Sequence, residues 1–197
     1  THDDEVPLSS TMRAVMYNTA DECGTYDGPD YKFGWGLMNT RAACDLIALD
    51  EMDPTVIQEQ VLLNNTQQEF TFNNDGSEPI TVTVVWTDPE ASVNANPAII
   101  NDLDVVVEEL STGNLYYPWK LNPSNVNAAA TTGDNDVDTV EQIWIENPAG
   151  GSYVVRVFHE GTLVNSYQTF SLVVRGLTAG ETQQYALTLD PRSGGVG

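Results

Sequence analysis

The spacing of apolar residues changes once along the chain, near residue 54. Before that point, two stretches repeat at helical intervals: "LSSTMRAVMYNTADE" (residues 8–22), with Ser9 or Ser10 available as N-cap, and "LMNTRAACDLIAL" (residues 37–49). Their apolar positions are Leu8, Met12, Val15 and Met16 in the first, and Leu37, Ala42 or Ala43, Leu46 and Ile47 in the second. The first ~50 residues therefore predict a helix, a loop and a second helix.

The loop between these helices, "CGTYDGPDYKFGWG", is rich in glycine and aromatic residues. A nucleotide-binding Gly-x-Gly-x-x-Gly loop would need a third glycine where Asn39 stands, and it would have to follow a strand. We therefore expect the glycines to supply turn dihedrals and Trp35 to supply packing.

After residue 54, apolar residues recur at every second position. In "PITVTVVWTD", Ile80, Val82, Val84 and Trp86 share one face, and "NDLDVVVEEL" places Leu103, Val105 and Val107 opposite Asp102 and Asp104. Five further segments continue the strand pattern: "VIQEQVLL", "EFTFNN", "VEQIWIENP", "GSYVVRVFHEG" and "YQTFSLVVRG".

Seven or more short strands at hairpin spacing predict a mainly β fold. We expect an antiparallel β-sandwich or jelly roll, preceded by a short two-helix segment. The predicted divisions are residues 1–50 for the helices, 54–176 for the sandwich, and 177–197 for an extra strand or linker, with "QYALTL" as the candidate strand.

Charge narrows the possible partners. The chain has 197 residues, with 29 Asp and Glu against 7 Lys and Arg, giving a formal net charge of -22. A surface this acidic repels phosphate backbones and anionic lipid, so we expect neither nucleic acid nor membrane as a partner. No apolar run is long enough to span a bilayer.

The acidic residues cluster at predicted strand ends. Between residues 42 and 155 the only basic residue is Lys120. Residues i and i+2 of a strand point to the same side, so Asp102 and Asp104 face one way. Further carboxylates are available from Asp88 and from Asp134, Asp136, Asp138 and Glu141. A hard cation such as Ca2+, bound by six to eight oxygens, would relieve their repulsion; the alternative is a solvated acidic surface.

The acidic run from Asp134 to Glu141 is not an EF-hand. Asp134, Asp136 and Asp138 match the first three ligand positions of that loop, but Thr139 stands where glycine is required and Ile145 where glutamate is required. An irregular calcium site built from strand and loop oxygens remains possible.

Several of these segments together resemble a known protease family. "STMRAVMYNTADE" followed by "GPDYKFGWGLMNTRAA" resembles the last two helices of subtilisin-like serine proteases (subtilases). "VVWTDP", "INDLDVVV", "VEQIWIENPAGGSYVVRV" and "QTFSLVVRG" resemble the β-sandwich that follows the catalytic domain in larger bacterial subtilases, which is similar to the P domain of proprotein convertases. The resemblance covers residues ~8 to 176.

The resemblance implies a function. The chain would be the C-terminal accessory part of a secreted subtilisin-like serine endopeptidase, stabilised by calcium at the β-sandwich. Its partners would be the upstream catalytic domain and, through that domain, protein or peptide substrates. Because the resemblance implies an oxidising environment, it also makes a Cys23–Cys44 disulfide plausible, with two free thiols as the alternative.

The family's catalytic serine motif, Gly-Thr-Ser-Met-Ala, is absent from this chain. The only histidines are His2 and His159, which we interpret as a loop residue and a hairpin-edge residue. A catalytic triad needs a base within hydrogen-bond reach of a nucleophile. We therefore predict no peptidase activity from this chain alone.

A second functional class remains open. Jelly rolls also serve as binding modules for carbohydrate or cell surfaces, and fold alone does not determine function. Tyr116, Tyr117 and Trp119 in "NLYYPWKLNP" would be the candidate sugar platform, unless they are packing residues of a hairpin.

Overall fold

The computed structural model describes residues 6–180 and 188–189. Two antiparallel sheets form the body of the molecule, in the strand orders β1-β10-β3-β8 and β11-β2-β9-β4-β5, with β12 also paired to β2. The strands are β1 Ile57–Leu63, β2 Thr66–Asn74, β3 Ile80–Trp86, β4 Leu103–Glu109, β5 Asn114–Tyr116, β6 Trp119–Lys120, β7 Thr131–Thr132, β8 Val140–Ile145, β9 Gly151–His159, β10 Tyr167–Arg175, β11 Thr178–Ala179 and β12 Thr188–Leu189. Strands β6 and β7 pair only with each other.

The main core lies between the two sheets, as the alternating pattern predicted. Ile80, Val82, Val84 and Trp86 from β3 meet Leu103, Val105 and Val107 from β4 in one buried cluster. The predicted fold class, a mainly β antiparallel sandwich behind a short helical segment, is thus confirmed. The candidate strand "QYALTL" lies mostly outside the described residues, except that Thr188 and Leu189 form β12 against β2.

Two helices cover the outer face of the four-stranded sheet. They are α1 Ser9–Asn18 and α2 Thr40–Asp50. A second, smaller apolar cluster joins Val15 of α1 and Leu46 of α2 to Val85, Val140 and Val173 of the sheet. The side chain of Asn39 begins α2 by accepting a hydrogen bond from Ala42 N at 2.9 Å.

Polar contacts hold α1 to the sheet. Asn18 Nδ2 donates to Thr81 O, Thr83 Oγ1 and Val173 O at 3.1–3.3 Å. Near the other end of the helix, Ser10 and Thr11 each hydrogen-bond Ser171 Oγ, at 2.8 and 2.9 Å. These side chains are buried, so each satisfied pair avoids the desolvation cost of an unpaired polar group.

The structure confirms Val15 as a buried position of α1 and corrects the rest of its predicted apolar face. Leu8 and Met12 are exposed, whereas Ser10, Thr11 and Asn18 are buried. The reason is that the opposing sheet face presents hydroxyls beside its valines, so the matching helix face combines polar residues with Ala14 and Val15. Leu8 precedes α1 as its N-cap without a side-chain cap, and Ser9 and Ser10 bond elsewhere.

The loop between the helices folds back on itself and on the sandwich. Asp21 bridges to Leu37, and Gly36 between them has φ +100 and would place a Cβ 2.3 Å from Asp21 O. Gly28 lies on the indole of Trp119, where a Cβ would come within 2.8 Å of the ring. Both positions require glycine, and Trp35 packs on Tyr17 with ring centroids 5.6 Å apart, as expected from the sequence.

Within the described residues, no helix has the length and apolar character needed to cross a bilayer.

Candidate metal centre

Three chain segments bring carboxylates to one edge of the sandwich. Asp102 and Asp104 lie at the start of β4, and antiparallel pairing sets Leu103 opposite His159, so Glu160 follows β9 next to Asp102. Glu160 N donates to Asp102 O at 3.0 Å. The loop between β7 and β8 supplies Asp134 and Asp136, and β8 itself supplies Glu141. We call these six residues the acidic cluster.

The outer half of the acidic cluster is compact. One carboxylate oxygen from each of Asp102, Asp136 and Glu160 lies within 4.8 Å of the others. Asp136 and Glu160 are exposed and Asp102 is half-buried. This half is therefore reachable from solvent.

The inner half is buried and its hydrogen bonding is incomplete. Glu141 is completely buried and Asp104 is nearly so. Glu141 Oε1 accepts a hydrogen bond from Asn135 Nδ2 at 3.0 Å, but Glu141 Oε2 has no hydrogen-bond partner. Asp104 Oδ2 and Asp102 Oδ1 are likewise buried without a partner. Buried carboxylate oxygens without partners are costly and rare in folded proteins.

Burial and mutual repulsion favour the neutral form of these carboxyls. Burial, together with the charges of Asp136 and Glu160, raises the pKa of Asp102 to about 7. The pKa of Asp104 is raised in the same direction by burial and by Asp134. The pKa of Glu141 lies well above its usual range because of burial and the charge of Asp104.

Basic side chains do not neutralise the acidic cluster within the described part of the chain. The ion pairs found there join Arg41 to Asp45 and Arg156 to Glu69 and Glu108. Lys120 Nζ reaches the rim, but it donates to the backbone oxygen of Asp134 at 2.8 Å.

Two further sequence candidates lie close to the acidic cluster and also have hydrogen-bond partners outside it. Asp88 accepts hydrogen bonds from Ile100 N at 2.6 Å and Asn101 N at 2.8 Å, so its carboxylate already fixes the loop before β4. Asp138 is exposed and lies beside the Asn135 side chain.

Sequence reasoning missed one cluster member, Glu160. Its position beside Asp102 depends on the pairing of β4 with β9, two strands about fifty residues apart. A period-two pattern identifies strands but not their partners, so only the predicted strand-end position of Glu160 was a usable signal.

The chemistry of the cluster suits a hard cation. It offers several carboxylate oxygens, contains neither sulfur nor imidazole, and has unpartnered oxygens at its buried end. Calcium prefers six to eight oxygen ligands in flexible geometry, whereas Mg2+ demands a tighter octahedron.

The two cysteines are free thiols in the structure. Cys23 is half-buried in the loop between the helices and Cys44 is exposed on α2. The structure therefore shows the two-thiol alternative, and the Cys23–Cys44 disulfide that the resemblance implies stays a prediction for oxidising conditions.

His159 has a structural role at the end of β9. It is buried, and its Nε2 accepts a hydrogen bond from Asn65 N at 2.8 Å. His2 lies outside the described residues.

The proposed aromatic platform is divided among different surroundings. Tyr116 packs against the main core and its hydroxyl reaches Glu109 at 3.3 Å. Tyr117 lines a cavity beside Asp104 and Asp134, whereas Trp119 lines a separate cavity under the helical loop. The three rings therefore do not form one sugar-binding surface.

Comparison with known proteins gives a partial answer. No family model matches the chain. The chain is similar to a Dictyostelium discoideum protein named as a serine protease/ABC transporter B family protein, with 25% identity over 182 residues. The match covers 89% of this chain and 10% of the relative, so the chain spans about a tenth of that protein's length. The similarity is weak, but it links the chain to a protein named as a protease.

Proposed function

We propose that this chain is the C-terminal accessory part of a secreted subtilisin-like serine endopeptidase. In this proposal the β-sandwich supports a catalytic domain whose triad lies upstream of these residues. The observation that carries the proposal is the ordered resemblance of residues ~8 to 176 to this part of subtilases. The similarity to a serine protease-named protein over 89% of the chain supports it.

The surface of the helical segment supports an attached upstream domain. Leu37, Met38 and Met52 are 64%, 56% and 78% exposed, and Ile47 on α2 is also exposed. Large apolar side chains concentrated on one short segment are typical of a surface that another protein part covers. Its occupant in this proposal is the preceding catalytic domain of the same protein.

Calcium bound by the acidic cluster would keep this support rigid. The ion would take oxygens from Asp102, Asp104, Asp134, Asp136, Glu141 and Glu160, and its charge would offset the burial of Glu141 and Asp104. Asp88 would fix the loop before β4, and Asp138 would add negative charge near the ion. Because the cluster joins β4, β8 and β9, the ion would tie both sheets at one edge.

The protease role is tested by serine-directed labelling. A fluorophosphonate probe should label the full-length gene product and should not label residues 1–197, because this chain lacks nucleophile, base and oxyanion hole. Peptidase activity of the full-length protein should withstand heating less well after chelation of calcium. Absence of both labelling and peptidase activity in the full-length protein would contradict the proposed function.

A further inference from the structure

A second site lies on the other side of the four-stranded sheet, beneath the loop that joins the helices. It is a cavity of about 210 Å³ lined by Trp35, Trp119, Trp144 and Tyr17. The chain has 4 tryptophans, and three of them line this one space. The fourth, Trp86, is buried in the main core.

Packing positions two of the aromatic walls, and strand pairing positions the third. Gly28 lies on the indole of Trp119, and Trp35 packs on Tyr17. Trp144 comes from β8 and pairs with Thr81 of β3. It is two residues from Gln142, so the two side chains share one face of the strand. Walls fixed before a ligand arrives reduce the ordering cost of binding.

The polar groups of the cavity include both donors and acceptors. Asn18 lies in its wall, and Asn18 Oδ1 is buried without a hydrogen-bond partner. Gln142 holds its orientation by donating to Tyr17 O and Thr83 Oγ1, both at 3.1 Å. The cavity wall also contains the two carboxylates of Glu22 and Asp27 and the guanidinium of Arg175.

We propose that this cavity binds a single sugar ring of a carbohydrate chain or a glycan. One face of a pyranose is made of C–H groups and suits an indole, while its edge carries hydroxyls that donate and accept hydrogen bonds. The aromatic walls suit the C–H face of the ring, and Asn18, Asp27 and Arg175 suit its hydroxyl edge. The cavity is smaller than the ~300 Å³ lower end of drug-sized pockets, which fits one ring.

An organic cation is the competing ligand class, because tryptophan faces also attract ammonium groups. The neutral amides of Asn18 and Gln142, together with the guanidinium of Arg175 in the cavity wall, favour a neutral polyhydroxyl ligand over a cation. The sugar proposal is independent of the protease assignment, because it uses only residues of this chain.

The test is an NMR titration of the full chain with separate probes. These are methyl glucoside, methyl mannoside, N-acetylglucosamine and xylose, with choline and free lysine as the cation probes. At least one sugar should shift the indole N–H signals of Trp35, Trp119 and Trp144 and leave that of Trp86 unchanged. Trp144→Ala should weaken binding about tenfold or more, whereas Tyr117→Ala, an exposed aromatic outside this cavity, should not change it.

Arg175→Lys provides a second variant, in case Trp144→Ala disturbs folding. It keeps the charge but loses the planar fork, and it should weaken sugar binding measurably. Failure of every sugar to bind at concentrations up to about 10 mM would overturn the proposal. It would also be overturned if only choline or lysine bound, or if Trp144→Ala and Arg175→Lys both bound sugar like the wild type.

Discussion

Glu141 shows most clearly the energetic consequence of burying a carboxyl group among other carboxyl groups. Its carboxyl is completely buried, and one of its two oxygens has no hydrogen-bond partner. Without a cation, folding is easiest when this carboxyl carries a proton. In the unfolded chain, by contrast, the carboxyl meets water and ionises at its ordinary pKa.

The first prediction concerns pH in the absence of calcium. Carboxyls whose pKa is raised on folding bind more protons in the native state than in the unfolded state, so stability falls as pH rises between the two pKa values. For Asp102 that window runs from 3.8 to about 7. In chelator, the melting temperature should therefore fall steadily from pH 5 to pH 8. A melting temperature that is constant or rises over this range would contradict the assigned environment.

The second prediction isolates Glu141. In chelator at pH 8, Glu141→Gln should raise the melting temperature by several degrees, because the amide needs no buried charge. At pH 5, near the ordinary pKa of a glutamate in the unfolded chain, the difference between the variant and the wild type should be much smaller. Glu146→Gln is the matched control, since Glu146 is exposed. An equal effect at both pH values would mean that the change acts through packing and not through charge.

At the scale of elements, strand faces could be predicted, and helix faces could be predicted only in part. Ile80, Val82 and Val84 point into the core because a strand that covers an apolar core shows period two whatever its partner is. The buried face of α1 depends on its partner, a sheet face carrying Thr81, Thr83 and Ser171. Apolar spacing therefore selected Val15, which is buried, together with Leu8 and Met12, which are exposed, and it missed Asn18.

The third prediction tests how α1 is attached. Asn18→Ala removes three hydrogen bonds to β3 and β10 and leaves buried groups unpaired, so it should lower the free energy of unfolding by about 1–3 kcal/mol. Met12→Ala on the same helix changes an exposed side chain and should stay within about 0.5 kcal/mol of the wild type. Denaturant unfolding of both variants measures the difference. A larger loss in Met12→Ala would mean that the helix packs through its other face.

The fourth prediction concerns the loop between the helices. Thiol titration of the denatured, unreduced chain should find two free cysteines, and the native chain should expose Cys44 to reagent faster than half-buried Cys23. Absence of free thiol would show that the loop can approach α2 closely enough to form the bond.

The candidate metal site could be predicted only in part, because its residues come from distant parts of the sequence. Asp102 and Asp104 could be paired from strand geometry, and Asp134, Asp136 and Glu141 from their acidic run. That these groups meet, and that Glu160 joins them, follows from long-range pairing of β4 with β9 and from the path of the β7–β8 loop. Neither has a local sequence signal. Asp88 looked equivalent in sequence, yet its carboxylate bonds two backbone N–H groups.

At the scale of the whole molecule, the formal charge of -22 adds to the electrostatic repulsion within the acidic cluster. Self-repulsion destabilises a compact acidic protein, and a bound divalent cation relieves it where carboxylates are densest. The cluster ties β4, β8 and β9, so the ion's contribution should extend to the global stability of the sandwich and not to one loop alone.

Calcium titration of the chelator-stripped full chain by calorimetry, paired with thermal melts, tests this account most directly. We predict saturable binding and a melting temperature raised by several degrees, since a ligand at a hundredfold excess over its Kd stabilises the native state by about 2.7 kcal/mol. Magnesium should replace calcium poorly. Asp104→Asn/Glu141→Gln should abolish binding, whereas Glu51→Gln/Glu146→Gln, the same charge change at exposed positions, should retain it. Identical melts in calcium and chelator, or calcium binding that survives Asp104→Asn/Glu141→Gln, would contradict the account.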